Sequence, residues 1–273
     1  MTDKTPIGVP FFDAEFGGLF RKRVALATGR AHSGKTLLGL QFLRQGLRMN
    51  ESCLMLSTHS AQNLAITADA MGLPVASALD NGLLTLLEYS EFVPGRDQEA
   101  NILLPPNGFM ELKAIIEENA VQRVVLDTVL PWATLAVPEH QAEHIFSLVR
   151  AFERLGVTAL FLLPKPVSVA ARRLRKMIED TVPISIVLDF DVERDARSWQ
   201  TTRYLGAQLP SAGTPFAIEP QRGFVAQTNA PAAVLAPAPA PAPESSAAFV
   251  AYRKSAAPTR APLDLYANLE LQT

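Results

Sequence analysis

Short apolar runs alternating with longer segments of helical period predict an α/β fold. Its mainly parallel sheet is flanked by helices and ends in short antiparallel strands at the C-terminal edge, ahead of a disordered tail. Three observations carry that prediction. The alternation is sustained from about Val24 to Val225, the stretch Thr201 to Val225 is rich in Pro and Gly, and beyond Asn229 the composition shifts to Ala and Pro.

Taken in order, the strands expected are Val24 to Thr28, Cys53 to Ser57, Leu83 to Leu87, Arg123 to Val129, Val157 to Leu163 and Ile184 to Phe190, with shorter pieces around Arg203, Phe216 and Phe224. Between them, Leu37 to Leu47 has helical apolar spacing. Phe109, Leu112, Ile115 and Ile116 share one helical face, as do Ile145, Leu148, Val149, Phe152 and Leu155, and both faces are suited to covering a sheet. Residues 1–228 therefore read as one folded domain, residues 229–244 as a linker and residues 245–273 as a tail. In the linker, the strict Ala-Pro alternation of Ala236 to Pro243 makes an extended spacer without a core. Leu263, Leu265, Tyr266, Leu269 and Leu271 gather apolar side chains in the tail, a pattern that fits either docking on a protein partner or an inert terminus.

The bulk numbers narrow the function. A net charge of −2 gives no broad basic surface of the kind that drives non-specific nucleic-acid binding, so nucleic acid is not the expected partner. One cysteine, Cys53, inside the run Cys53-Leu54-Met55-Leu56, reads as a buried thiol and excludes an intrachain disulfide. With four His besides, no spacing resembles a zinc site. The apolar runs are broken by Asp127 or Pro164, and the N-terminus lacks the basic start of a signal peptide, so no membrane segment is expected and the cytoplasm is the expected compartment.

The strongest signal is Gly29-Arg30-Ala31-His32-Ser33-Gly34-Lys35-Thr36. It fits the pattern G-x-x-x-x-G-K-[ST], follows a strand-like run and precedes a helical one, the context in which a P-loop works. The glycines allow a tight turn in which successive N–H groups converge on phosphate oxygens, and the following helix adds its positive dipole end. Lys35 is then the residue that neutralises the β and γ phosphates of ATP, and the Thr36 hydroxyl is a ligand of Mg2+. Arg30 and His32 face either nucleotide or solvent. A carboxylate is needed at the end of a nearby strand to hold the metal shell, and Val124-Val125-Leu126-Asp127 supplies Asp127.

Several stretches together resemble the KaiC-like branch of the RecA superfamily of P-loop ATPases. They are Ile7-Gly8-Val9-Pro10-Phe11-Phe12-Asp13, Phe16-Gly17-Gly18-Leu19, Val24 to Thr36, Gln41-Phe42-Leu43, Met71-Gly72-Leu73, Arg123 to Thr128 and Phe152 to Leu163, in the family's order. The resemblance spans about Ile7 to Val225. It implies a RecA-like core that binds ATP between adjacent subunits of a homo-oligomer, often a hexameric ring, with regulatory output.

The departures bear on hydrolysis. Where the family carries a pair of acids after its second strand, Ser57-Thr58-His59-Ser60 puts His59 and Ser60. Where it carries a Lys and an Arg that reach the neighbouring site, Leu209 and Ser211 stand. Loss of a water-positioning carboxylate and of charge-stabilising cations removes factors each worth orders of magnitude in rate. His59 at a strand end reads as a polar surface residue.

The expected function is accordingly an ATP-binding regulatory protein with weak or absent hydrolysis. The alternatives are an active ATPase that uses Glu88, Glu91 or Glu99 as its acid, a recombinase-like DNA-binding protein and a scaffold with a relic P-loop. The cluster Arg172, Arg173, Arg175 and Lys176 is the one candidate for polyanion contact, with a solvated helix face as its plainer reading.

Overall fold

The computed structural model describes residues 3–89, 103–104, 106–128, 130–131 and 141–227. The linker and tail expected after residue 228, and Glu91 and Glu99, lie outside them. The chain separates into units Met1–Asn229 and Ala230–Thr273, and all the described residues belong to the first.

Its elements are, in chain order, β1 (Lys4–Thr5), α1 (Pro10–Phe16), β2 (Leu19–Phe20), β3 (Val24–Gly29), α2 (Lys35–Arg48), β4 (Cys53–Ser57), α3 (Ala61–Ala70), α4 (Val75–Asp80), β5 (Leu84–Glu88), β6 (Leu103–Leu104) and α5 (Pro106–Glu118). They continue with β7 (Arg123–Asp127), β8 (Leu130–Pro131), α6 (Gln141–Arg154), β9 (Thr158–Pro164), α7 (Val169–Thr181), β10 (Ile184–Asp191), β11 (Ala196–Tyr204), β12 (Thr214–Glu219) and β13 (Gly223–Ala226).

Nine strands form one sheet in the order β13-β12-β11-β10-β3-β9-β7-β4-β5. Pairing is parallel from β10 through to β5 and antiparallel from β10 through β11 and β12 to β13. The mainly parallel sheet with an antiparallel C-terminal edge is thus present. The edge is larger than its sequence suggests. β11 begins at Ala196 and pairs along all of β10 from Ile184↔Tyr204 to Asp191↔Ala196, because Trp199 and Thr201 point into the core where composition shows only a polar stretch. At β7 the strand ends at Asp127. Thr128 turns out of it at φ 64° and donates its N–H to Leu162 O at 2.9 Å, and Val129, the last residue of the expected strand, lies outside the described residues.

The central strands are buried on both faces, which is why they read as continuous apolar runs. Their alternation divides two cores. Ala25, Ala27, Met55, Val125, Leu160 and Leu162 face the side covered by α1 to α4, where Phe12, Leu38, Phe42 and Leu64 pack. Val24, Leu26, Leu54, Leu56, Val124 and Phe161 face the side covered by α5, α6 and α7, where Leu112, Ile116, Ile145, Val149 and Phe152 pack. The two helical faces expected to cover the sheet lie on this second side.

A charged cluster holds the N-terminal segment to the sheet. Arg123, almost fully buried at the start of β7, donates to Glu51 Oε2 (2.5 Å), Thr5 Oγ1 (2.7 Å), Pro6 O (2.9 Å) and Phe42 O (3.0 Å). Glu51 also accepts from Arg21 at 2.7 Å. Burial alone would raise the Glu51 carboxyl, but hydrogen bonds from Arg21 and Arg123 outweigh it and hold the group below its ordinary value of 4.5.

Candidate functional site

β3 delivers the chain to Gly29 at the C-terminal edge of the parallel sheet, and α2 leaves from Lys35, so the loop Arg30 to Gly34 lies where a strand end meets a helix N-terminus. The turn is possible only with glycine at two places. Gly34 caps α2 at φ 99°, a left-handed conformation, and a Cβ there would lie 2.7 Å from Ile218 Cδ1. At Gly29 a Cβ would strike Leu188 O and Ser33 Oγ, each at 2.5 Å.

Within the loop the side chains divide by direction. Arg30, Ala31 and His32 are exposed and Ser33 is fully buried. Arg30 pairs with Asp189 Oδ1 at 3.3 Å, while Lys165 approaches Asp189 Oδ2 at 3.6 Å. Lys35 turns back over the loop, donating to Gly29 O (3.0 Å) and Arg30 O (2.7 Å). Burial lowers the Lys35 ammonium from its ordinary value, and the charge of Asp127 opposes that shift.

Asp127 is fully buried at the end of β7, in register with Ser57 at the end of β4. Its Oδ2 accepts from Thr36 Oγ1 at 2.8 Å and from Ser57 Oγ at 3.2 Å, and its Oδ1 accepts from Thr128 Oγ1 at 3.1 Å. The two residues expected to hold a metal, from positions 91 residues apart, are therefore in direct contact. His59 Nε2 lies 4.0 Å from Asp127 Oδ2. His59 is exposed, as its strand-end position suggests, yet it also lines a cavity of about 380 Å3 with His32, Lys35, Thr36 and Arg197.

The residues present suit a phosphate chain and a hard cation. Ser33 Oγ is buried inside the loop with no hydrogen-bond partner among the described residues, and the space around Gly29 and Gly34 is space that any side chain would fill. Hydroxyl plus carboxylate, Thr36 with Asp127, is the oxygen donor set that Mg2+ takes together with substrate phosphates.

Ser60 caps α3, its Oγ accepting from Asn63 N at 3.2 Å. Glu88 ends β5 in register with Ser57, and its Oε2 accepts from Ala61 N at 3.3 Å at the start of the same helix. Leu209 packs partly buried against the first core and Ser211 is exposed. In the basic cluster on α7, Arg175 and Lys176 are paired with Glu179 and Asp180 one turn on, at 3.3 and 2.7 Å.

Sequence reasoning missed Ser57, Arg197 and the pair Asp189 and Lys165. Asp189 carried the same signal as Asp127, an acid near the end of an apolar strand. Arg197, whose Nε donates to His32 O at 3.3 Å across 165 residues, carried none.

A family model described as the KaiC ATPase matches residues 5–228 of this chain. The chain belongs to the KaiC family. The circadian clock oscillator protein KaiC of Thermostichus vulcanus is 27% identical over 225 residues, which cover 76% of this chain and 41% of that relative. The circadian clock protein KaiC2 of Synechocystis is 35% identical over 85 residues, 30% of this chain and 15% of the relative. The UPF0273 protein of Aeropyrum pernix is 28% identical over 185 residues, 63% of this chain and 71% of its own length. The chain thus spans about two fifths of the length of the KaiC relative from Thermostichus. It is a KaiC-like nucleotide-binding protein of RecA fold, and no helix among its described residues is long and apolar enough to cross a membrane.

Proposed function

We propose that this KaiC-family domain binds ATP with Mg2+ on the loop Gly29 to Thr36, hydrolyses it slowly or not at all, and serves as a regulatory protein whose assembly or partner binding follows the nucleotide. Lys35 and the loop amides hold phosphate, and Thr36 with Asp127 holds the metal. The metal, when bound, supplies charge neutralisation at the β and γ phosphates. The observation that carries the reading is the end of β4. Beside the Thr36–Asp127 pair stands His59, and the hydroxyl of Ser60 is engaged in capping α3, so neither position offers the carboxylate that activates water in the family. Homo-oligomeric assembly, hexameric by resemblance, and a docking role for the tail belong to the same proposal, as does a cytoplasmic setting.

A second reading, an active ATPase, has one observation in its favour. Glu88 is level with Ser57 and Asp127 in the sheet, one strand beyond β4, at a Cα separation of about 10 Å from Asp127 by strand spacing.

The test follows one equivalent of radiolabelled ATP with Mg2+ on wild type and on Lys35→Ala, recording the bound fraction and the fraction converted to ADP in a single turnover. Binding without conversion, lost in Lys35→Ala, is the expected result. Prompt conversion abolished by Glu88→Gln would instead establish the active ATPase, and equal binding by both proteins would remove the loop from the account.

A further inference from the structure

A second cavity of about 380 Å3 opens beside the C-terminal half of α2, between that helix, the N-terminal segment and the turn that joins β12 to β13. Three guanidinium groups line it: Arg44 and Arg48 from α2, and Arg222 from the turn. Their pairing is uneven. Arg222 donates to Glu219 Oε2 at 2.6 Å. Asp13, the carboxylate on the cavity wall, is engaged by the N–H groups of Ile7 (2.9 Å) and Gly8 (2.8 Å).

The side chains of Arg44 and Arg48 make no ion pair or hydrogen bond among the described residues. Arg48 is exposed, so water serves it. Arg44 is only 9% exposed, and its Nε is sealed from solvent with no acceptor. Its guanidinium carries the lowering effect of burial and, after that, of Arg48 one helical turn away. A side chain at Gly72 would touch Arg44 Nη2 at 3.5 Å and Gln221 Oε1 at 3.6 Å, which places the far end of Arg44 against the turn as well as against the helix.

A charge that burial penalises and a like charge repels is costly unless something compensates it. Two planar forks one turn apart supply more N–H donors than a single carboxylate can accept, and suit a group with three oxygens. We infer that this cavity is a binding site for a small oxyanion, a free phosphate or a phosphomonoester, held between Arg44 and Arg48. The site is separate from the P-loop. Arg44 follows Lys35 by nine residues of one continuous helix, about 14 Å along its axis.

The experiment uses the full chain carrying Lys35→Ala, which disables phosphate binding at the loop. Inorganic phosphate is titrated calorimetrically at constant ionic strength, with chloride as the control and AMP as a competitor. Saturable binding of one phosphate per chain is expected, weakened at least tenfold by Arg48→Gln and abolished by Arg44→Met. Arg44→Met also removes the unpaired charge, so the ligand-free variant melts higher than its parent while losing the rise in Tm that phosphate gives the parent. Displacement by AMP identifies a phosphomonoester site, and phosphate that AMP leaves in place identifies a free-anion site. Absence of saturable binding, or binding that Arg48→Gln leaves unchanged, overturns the inference. Arg48 is exposed, so its replacement keeps the question answerable should Arg44→Met fold poorly.

Discussion

Replacing Asp127 with Asn changes charge while keeping volume, at the point where the proposed metal shell and the loop meet. In the fold the carboxylate accepts from three hydroxyls, those of Thr36, Ser57 and Thr128. Hydrogen bonds to a charged acceptor contribute about 1.5–3 kcal/mol each against roughly 0.5–1.5 for neutral pairs. The hydroxyls can rotate to accept from the new amide, so the variant should lose only about 1–3 kcal/mol of the roughly 5–15 that hold a domain folded. Function should suffer more specifically. Loss of a residue that orients a metal shell costs about 10- to 100-fold in metal affinity, so the Kd for ATP in saturating Mg2+ should rise by that factor. With EDTA in place of Mg2+ the effect should vanish or reverse, because a buried carboxylate beside the triphosphate repels it when no cation intervenes. Fluorescent ATP-analogue titrations, with and without Mg2+, measure both limbs. If Asp127→Asn weakens binding equally in Mg2+ and in EDTA, the carboxylate serves the loop's shape and has no part in holding a metal.

Three further outcomes are expected. Burial pushes the Cys53 thiol up to about 12, with Glu51 adding to the rise and Arg123 opposing it; a thiol reagent at pH 8 should therefore titrate no group in the native protein and one after denaturation, and a fast native reaction would contradict the packing of β4. The Glu51 carboxyl is held below 4.5, so its stabilising effect is complete above that pH and is lost as pH falls through the depressed value; Glu51→Gln should flatten the acid limb of urea-denaturation midpoints, and an unchanged limb would show that Arg21 and Arg123 do not hold it. His59→Glu returns a carboxylate to the cavity that holds Thr36 and should raise the single-turnover rate of ATP hydrolysis by about tenfold or more, given that a placed general base contributes about 10²–10⁴; no change would locate the deficit elsewhere.

The fold was legible where one stretch of chain carries its own signal. β3, the loop and α2 are contiguous, and the two-sided burial of β4, β7 and β9 leaves nearly continuous apolar runs. Asp127 stood out because an acid ends such a run. What sequence did not show depends on partners distant in the chain. β11 is a strand because it pairs with β10 from Ala196 to Tyr204 with one register shift at Thr202, and its polar alternation with a single Trp gives little sign of that. Arg123 reads as the first residue of an apolar strand, yet it is fixed by Thr5, Pro6, Phe42 and Glu51 from three other segments. The cavity beside α2 was equally hidden, since Arg44 and Arg48 look like an ordinary solvated helix face until the fold sets the turn at Gln221 beside them.

The loop Gly29 to Thr36 hangs from β3, which lies between β10 and β9 with further strands outside each. A strand enclosed in this way opens to exchange only when the whole unit unfolds. Amide protons of β3 should accordingly report global stability, and any ligand gripping the loop should slow their exchange by the full linkage factor, about 2.7 kcal/mol at a hundredfold excess over Kd. Nucleotide would then act as a thermodynamic clasp on the entire sheet, raising the ratio of folded to unfolded domain in proportion to its concentration once that exceeds Kd.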